Sequence, residues 1–225
     1  FCKEGYTLLH LDHIPAIDED QKNVDFLPLL KRALEAGYQS VMIDGSRLPL
    51  AQNIAVTQQA AELAAKYGSA VEAELGAVAG HEGAGIGLSY EELFTSKKGF
   101  TKTEEAAQFA RESGCDWLSV AAGSFHGAIA AATKHLKKPE ARLDIAHIAE
   151  LSAATGHMPL VLHGGSGIKQ EYILRAMENG IAKINVATEI RQPYEFALEE
   201  KPGNITYAQQ KVYDRTRWVL HDFLH

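Results

Sequence analysis

Cysteine is nearly absent: only Cys2 and Cys115 occur among 225 residues, far apart and in no CxxC pair. That excludes a disulfide framework and a structural thiolate zinc site, and it fits a reducing compartment. Long apolar runs are missing too. No stretch approaches the roughly 18 apolar residues that cross a bilayer, and no basic segment leads an apolar one as in a signal peptide. Basic charge is in deficit, with 22 Lys+Arg against 29 Asp+Glu and a net charge of -7. The signs are interspersed, which argues against the basic stripe of a nucleic-acid-binding face. The expectation is a soluble cytoplasmic protein whose partners are small molecules or copies of itself. The chain opens on Phe1 and enters an apolar run within a few residues, so upstream sequence is expected to be missing.

What is present suits a single core. Hydrophobic residues make up 46% of the chain, and no composition shift divides it, so residues 1–225 read as one domain. Short apolar runs ending in Gly, Asp or His recur at 6–12, 40–45, 70–76, 117–123, 159–165 and 183–188, and most read as buried parallel strands. Between them lie helical patterns at 26–37, 52–68, 103–114, 143–156 and 170–180, each closing on glycine. Two further helical stretches, 189–200 and 205–224, follow the last strand. Strand-helix alternation with short returns indicates an α/β fold of the TIM (β/α)8 type. Six strands are countable, two units short of eight. Residues 80–101 form the longest irregular insertion, with glycine at four of its first eight positions, a composition suited to a lid.

Three histidines sit at the ends of three different strands: His13 in HLDH, His126 in SFHG and His163 in LHGGSG. A catalytic zinc commonly takes three protein ligands plus water or substrate, and a parallel barrel points strand ends at one spot. HLDH alone would equally suit a core histidine satisfied by a neighbouring carboxylate; three such placements favour a metal. Strand alternation places Leu11 with His13 on one face and His10 with Asp12 on the other. Asp12 could orient a ring or act as a separate acid. The glycine-rich turn Gly164, Gly165, Ser166, Gly167 leads into a helix, and Asn185, Val186, Ala187 and Thr188 end the next strand. Loops after two neighbouring strands suit an anion, which suggests a phosphorylated substrate. Glu72 and Glu74 share a face, and burying two like charges needs a cation or a shared proton. A second mono- or divalent cation held by Asp44 and Glu74 is the expectation. Glu82 lies in the glycine-rich loop, where it could swing into the site.

HLDH, VEAELGAVAGHE, GSFHG, LHGGSG and KINVATE occur in the order and approximate spacing of the class II, zinc-dependent fructose-bisphosphate and tagatose-bisphosphate aldolases, and the chain resembles that family over nearly its whole length. The resemblance implies a (β/α)8 barrel in a homodimer or homotetramer, acting on a phosphorylated sugar in carbohydrate metabolism. It implies Zn2+ on His13, His126 and His163, Asp12 as the acid that protonates the departing aldehyde oxygen, and Glu82 as the mobile base. It also implies a dihydroxyacetone-phosphate site at Gly127, Gly164, Gly165, Ser166 and Asn185 to Thr188. Departures are present as well. Ile14 follows HLDH where the family has a small residue, cysteine or histidine, and the acidic connection PAIDEDQKNVD is longer than the family predicts. Ala79 stands where glycine is usual. About two strand-helix units precede HLDH in the family, so the barrel is expected to be N-terminally incomplete here.

The implied activity is aldol cleavage and condensation of a ketose bisphosphate, giving dihydroxyacetone phosphate and an aldehyde such as glyceraldehyde 3-phosphate. A bound metal stabilises the enediolate as a Lewis acid, so no Schiff-base lysine is required. Asp12 is expected to have a raised pKa or to carry its proton only transiently. A non-catalytic barrel that binds metal or sugar phosphate and serves as an assembly partner is the alternative from another class. A zinc hydrolase is a third reading, disfavoured by the paired anion loops.

Overall fold

A computed structural model describes residues 7–76, 90–124 and 142–223, without the side chains of residues 90, 93, 222 and 223. His126, Gly127, Glu82 and Ala79 lie outside the described residues, as do residues 80–89 of the expected lid. In chain order the elements are β1 (His10–Pro15), α1 (Phe26–Glu35), β2 (Ser40–Asp44), α2 (Leu50–Ala65), β3 (Ala70–Leu75), α3 (Tyr90–Ser96), α4 (Thr103–Glu112) and β4 (Trp117–Val120). They continue as α5 (Ile145–Ala154), β5 (Leu160–Leu162), α6 (Gln170–Glu178), β6 (Ile181–Ile184), α7 (Thr188–Glu200) and α8 (Ile205–Trp218). The six strands form one sheet in the order β1-β2-β3-β4-β5-β6, and every neighbouring pair is parallel. Sequential parallel order with helical crossovers is the arrangement of a TIM-type barrel. The sheet is strongly curled, because the strands at its two ends bring the Asp12 carboxylate and the Asn185 amide to 3.1 Å.

The two faces of the sheet have opposite chemistry. Val41, Ile43, Val71, Ala73, Leu75, Leu118, Val120, Leu160 and Leu162 are buried in one core cluster with Leu30, Ile54, Phe109, Ile148, Leu151 and Ile173 of the helices. Burying each large aliphatic side chain there contributes about 1.5–3 kcal/mol, so the helix-side layer carries the stability. The alternate residues, Ser40, Glu72, Glu74, Ser119 and Lys183 among them, face inward, where polar groups must satisfy one another. Strand periodicity therefore sorts the chain into an apolar scaffold outside and a reactive lining inside.

Three expectations change. The first strand runs His10–Pro15 rather than 6–12: Leu8 and Leu9 are exposed, and the Leu9 amide donates to the Gln39 side chain, not to a strand ladder. Within 80–101 the chain is helical at Tyr90–Ser96, with Glu91 and Glu92 in its first turn, where they favour the helix dipole. The last strand occupies Ile181–Ile184, so Asn185 to Thr188 form a turn that starts α7. Among the described residues, no helix is long and apolar enough to cross a membrane.

Candidate active site

The site is built on a fault in β1. Leu11 pairs with Val41 and Ile14 with Ile43, so Asp12 and His13 together oppose Met42 alone, as in a β-bulge. His13 adopts φ 49°, a left-handed conformation that costs a non-glycine residue of order 1–3 kcal/mol. The extra residue corrects the face assignment made from alternation. His10, Asp12 and His13 all reach the inner face, while Leu11 and Ile14 pack against the helix-side core. Without the bulge, His13 would follow Leu11 outward.

Around His13 the donor atoms gather in two adjoining groups. Ligand atoms of Asp12, His13 and His163 lie within 4.8 Å of one another, and so do those of His13, Asp44 and Glu74. The His13 and His163 rings meet edge to face at 4.6 Å between centroids. His163 follows β5 and is fully buried, whereas Asp12 is exposed at the mouth. Imidazole and carboxylate donors suit zinc, and the more carboxylate-rich second group suits a harder cation.

Sequence reasoning missed the partners beneath these groups. Lys183 Nζ lies 2.6 Å from Glu72 Oε2, and His163 Nε2 lies 2.8 Å from Glu72 Oε1. The cation demanded by Glu72 is thus supplied in part by a lysine two positions before Asn185. His10 hydrogen-bonds Ser40 at 2.8 Å and lies 3.4 Å from Asp12 and 3.5 Å from Glu72. A period-two reading of β6 would have brought Lys183 and Asn185 to the same inner face. Asn185 itself donates to both Asp12 oxygens, at 3.2 and 3.1 Å.

The paired loops are locked together. The Gly165 amide donates to the Asn185 carbonyl at 3.0 Å, the Asn185 amide donates to Leu162 at 2.9 Å, and the Glu189 amide at the start of α7 donates to Ser166 Oγ at 3.2 Å. A Cβ on Gly165 would lie 2.5 Å from Ile184 Cγ2 and 3.2 Å from the Asn185 carbonyl oxygen. Gly165→Ala is expected to cost about 1–3 kcal/mol through overpacking and to raise KM for a phosphorylated substrate. Steady-state kinetics with a urea melt checks both, and an unchanged KM removes these loops from the anion site.

At the mouth, the acidic connection folds into a small hairpin closed by an Ile17–Asn23 bridge. It walls a cavity of about 440 Å³ with His13, Asp44 and Arg47, and Arg47 is tethered to the Asp18 carbonyl at 2.6 Å.

Charge at the site is mutually held. Asp12 sits at the mouth yet is partly desolvated by its neighbours, which would raise its pKa, but the His10 hydrogen bond and the charges of His13 and Lys183 prevail and hold it well below the carboxylate range. The raised pKa expected of Asp12 is therefore corrected: cationic neighbours outweigh desolvation. For Asp44, burial is likewise outweighed, here by hydrogen bonds from His13 and Ser46, and the pKa falls to about 2. His13 is shifted upward, because its bond to Asp44 and the charges of Asp12, Asp44 and Glu72 outweigh burial.

These shifts set the pH response of the metal-free protein. Asp44, lowered from 3.8 to about 2, contributes stability that is present above the unfolded value and lost as pH falls through the folded one. His13, raised from 6.5, contributes stability that is present below 6.5 and lost as pH rises through its folded value. Urea midpoints of chelator-treated protein are expected to fall between pH 4 and pH 2, and Asp44→Asn should flatten that acid limb. A limb unchanged in the variant would show that other carboxylates set it.

The family model of class II fructose-bisphosphate aldolases matches residues 4–223, and the chain belongs to that family. Two solved structures are similar to the chain, the second in fold alone. The chain is similar to the YdjI aldolase from Escherichia coli K12, with 28% identity and a TM-score of 0.67, over 93% of this chain and 65% of that one. It thus spans slightly less than two thirds of that relative's length. The fold is also that of the fructose-bisphosphate aldolase (Fba) from Campylobacter jejuni, at 18% identity and a TM-score of 0.68, over 96% of this chain and 70% of that one.

Proposed function

We propose that this chain carries out zinc-dependent aldol cleavage and condensation of a ketose bisphosphate, releasing dihydroxyacetone phosphate and an aldehyde, glyceraldehyde 3-phosphate for fructose or tagatose bisphosphate. The observation that carries the reading is the meeting of Asp12, His13 and His163 donor atoms within 4.8 Å beside the glycine-rich turn after β5 and the turn after β6, which are tied together at a helix start. His13 and His163, with His126, would hold zinc, and Asp44 with Glu74 would hold a second cation. Bound there, zinc would act as a Lewis acid toward the charge that develops on the substrate's oxygens.

The chain's own groups carry the protons. Gly127, Gly164 to Ser166 and the turn from Val186 to Thr188 would hold the phosphate end. In cleavage, the ionised Asp12 takes the proton of the hydroxyl next to the breaking carbon-carbon bond, and that oxygen becomes the aldehyde carbonyl. The electron pair stays on the other fragment as an enediolate, and Glu82 returns a proton to its carbon. Condensation reverses these steps, with Glu82 as base and protonated Asp12 as donor, so the lowered pKa of Asp12 suits a base at rest in the cleavage direction. Asn185, bonded to both Asp12 oxygens, keeps the carboxylate aimed. The family resemblance further implies a homodimer or homotetramer.

The deciding experiment is deuterium exchange at the hydroxymethyl carbon of dihydroxyacetone phosphate, followed by NMR with and without chelator. The reading predicts exchange that stops with chelator and returns with zinc. A folded, zinc-loaded protein that catalyses none would favour a non-catalytic binding barrel.

A further inference from the structure

The geometry assigns Glu72, gripped by Lys183, as a positioning residue: it fixes the tautomer of His163 so that Nε2 carries the proton and Nδ1 is the nitrogen offered to the metal. The assignment rests on the reading of His163 as a ligand and adds what sets its ring. Both side chains are fully buried, at 0% exposure, so no solvent competes for their bonds. A neutral imidazole has one donor and one acceptor nitrogen, and an ionised carboxylate only accepts. With His163 Nε2 at 2.8 Å from Glu72 Oε1, the proton belongs on Nε2. The opposite nitrogen, Nδ1, faces Glu74 Oε2 at 3.4 Å, on the side where the other donors converge.

Lys183 is what keeps this arrangement one-way. Its ammonium is a donor only and engages Glu72 Oε2 at 2.6 Å, so both carboxylate oxygens accept and neither is available to carry a hydrogen toward His163. Three strands contribute one member each: β3 supplies Glu72, the end of β5 His163, and β6 Lys183. The set links the sheet from the inside while orienting a ligand, the relation that outer partners of metal-bound histidines commonly have.

Glu72→Gln tests this with a sharp expectation. A glutamine has one acceptor oxygen, which the donor-only Lys183 claims; the amide NH2 then turns toward His163 Nε2 and makes it an acceptor, moving the ring proton to Nδ1. Long-range 1H–15N correlation of chelator-treated protein reads the tautomer directly, with His163 assigned from a His163→Gln variant. Wild type should show the Nε2–H form and Glu72→Gln the Nδ1–H form, with zinc affinity lower by about 10- to 100-fold in competition with a chromophoric chelator. An Nδ1–H form in wild type overturns the assignment, as does a folded Glu72→Gln protein with unchanged tautomer and zinc affinity. Should that variant fail to fold, the wild-type tautomer decides alone. Wild type that shows the Nε2–H form and yet binds no zinc overturns the metal reading of the site, not the role of Glu72 in setting the ring.

Discussion

Asp12→Asn is expected to lower aldol cleavage by about 10²- to 10⁴-fold, the usual contribution of a positioned acid or base, while dihydroxyacetone-phosphate proton exchange survives. The two readouts separate because they use different groups. Exchange needs the metal group, the base assigned to Glu82 and an anion site, whereas cleavage also needs a carboxylate at the substrate hydroxyl. Asparagine keeps the size of Asp12 but can accept no proton, and it loses the charge that His10, His13, His163 and Lys183 face. Parallel measurement of cleavage rate and NMR exchange checks the split. Loss of both together would show that Asp12 chiefly supports the metal group, and loss of neither would remove it from the chemistry.

His163→Ala should be the most damaging single change for metal and fold alike. Spreading roughly 10–16 kcal/mol of zinc binding over the three histidine ligands gives a loss of about 10²- to 10⁴-fold in affinity. The same truncation takes away the His163 hydrogen bond of Glu72 and leaves it to Lys183, and stripping a partner from a buried charge costs about 3–5 kcal/mol. Chelator competition and urea unfolding of the metal-free variant read these effects independently. Zinc affinity within tenfold of wild type would remove His163 from the ligand set, whereas an unchanged urea midpoint would show that Lys183 alone satisfies Glu72.

The inner and outer faces were legible wherever a strand was regular. Glu72 and Glu74 announce a buried acidic lining by their spacing, and the apolar runs around Ile43, Leu118 and Leu162 mark the scaffold. His163 and Asp44 could be placed because each ends such a run. Other features depend on geometry that period and composition do not encode. No local signal in HLDH distinguishes a bulge from a straight strand, so the face of His13 was misread. The Glu72 and Lys183 pair depends on β3 and β6 meeting across the curl of the sheet, more than a hundred positions apart in sequence. Asn185 could be read as part of an anion turn, but its grip on Asp12 needs β1 and β6 in space. The helix of residues 90–96 was hidden by the glycine-rich stretch before it.

The bulge in β1 also shapes motion. At that point the His13 amide donates to the sulfur of Met42 at 3.5 Å, a weak acceptor standing where a regular ladder would offer a carbonyl. The backbone is therefore held to β2 less firmly here than at Leu11 or Ile14, which stay in register with it. The weakened stitch lies directly beneath the carboxylate and imidazole proposed to move a proton and to hold zinc. Local opening at these two residues is expected while the apolar layer behind them stays packed.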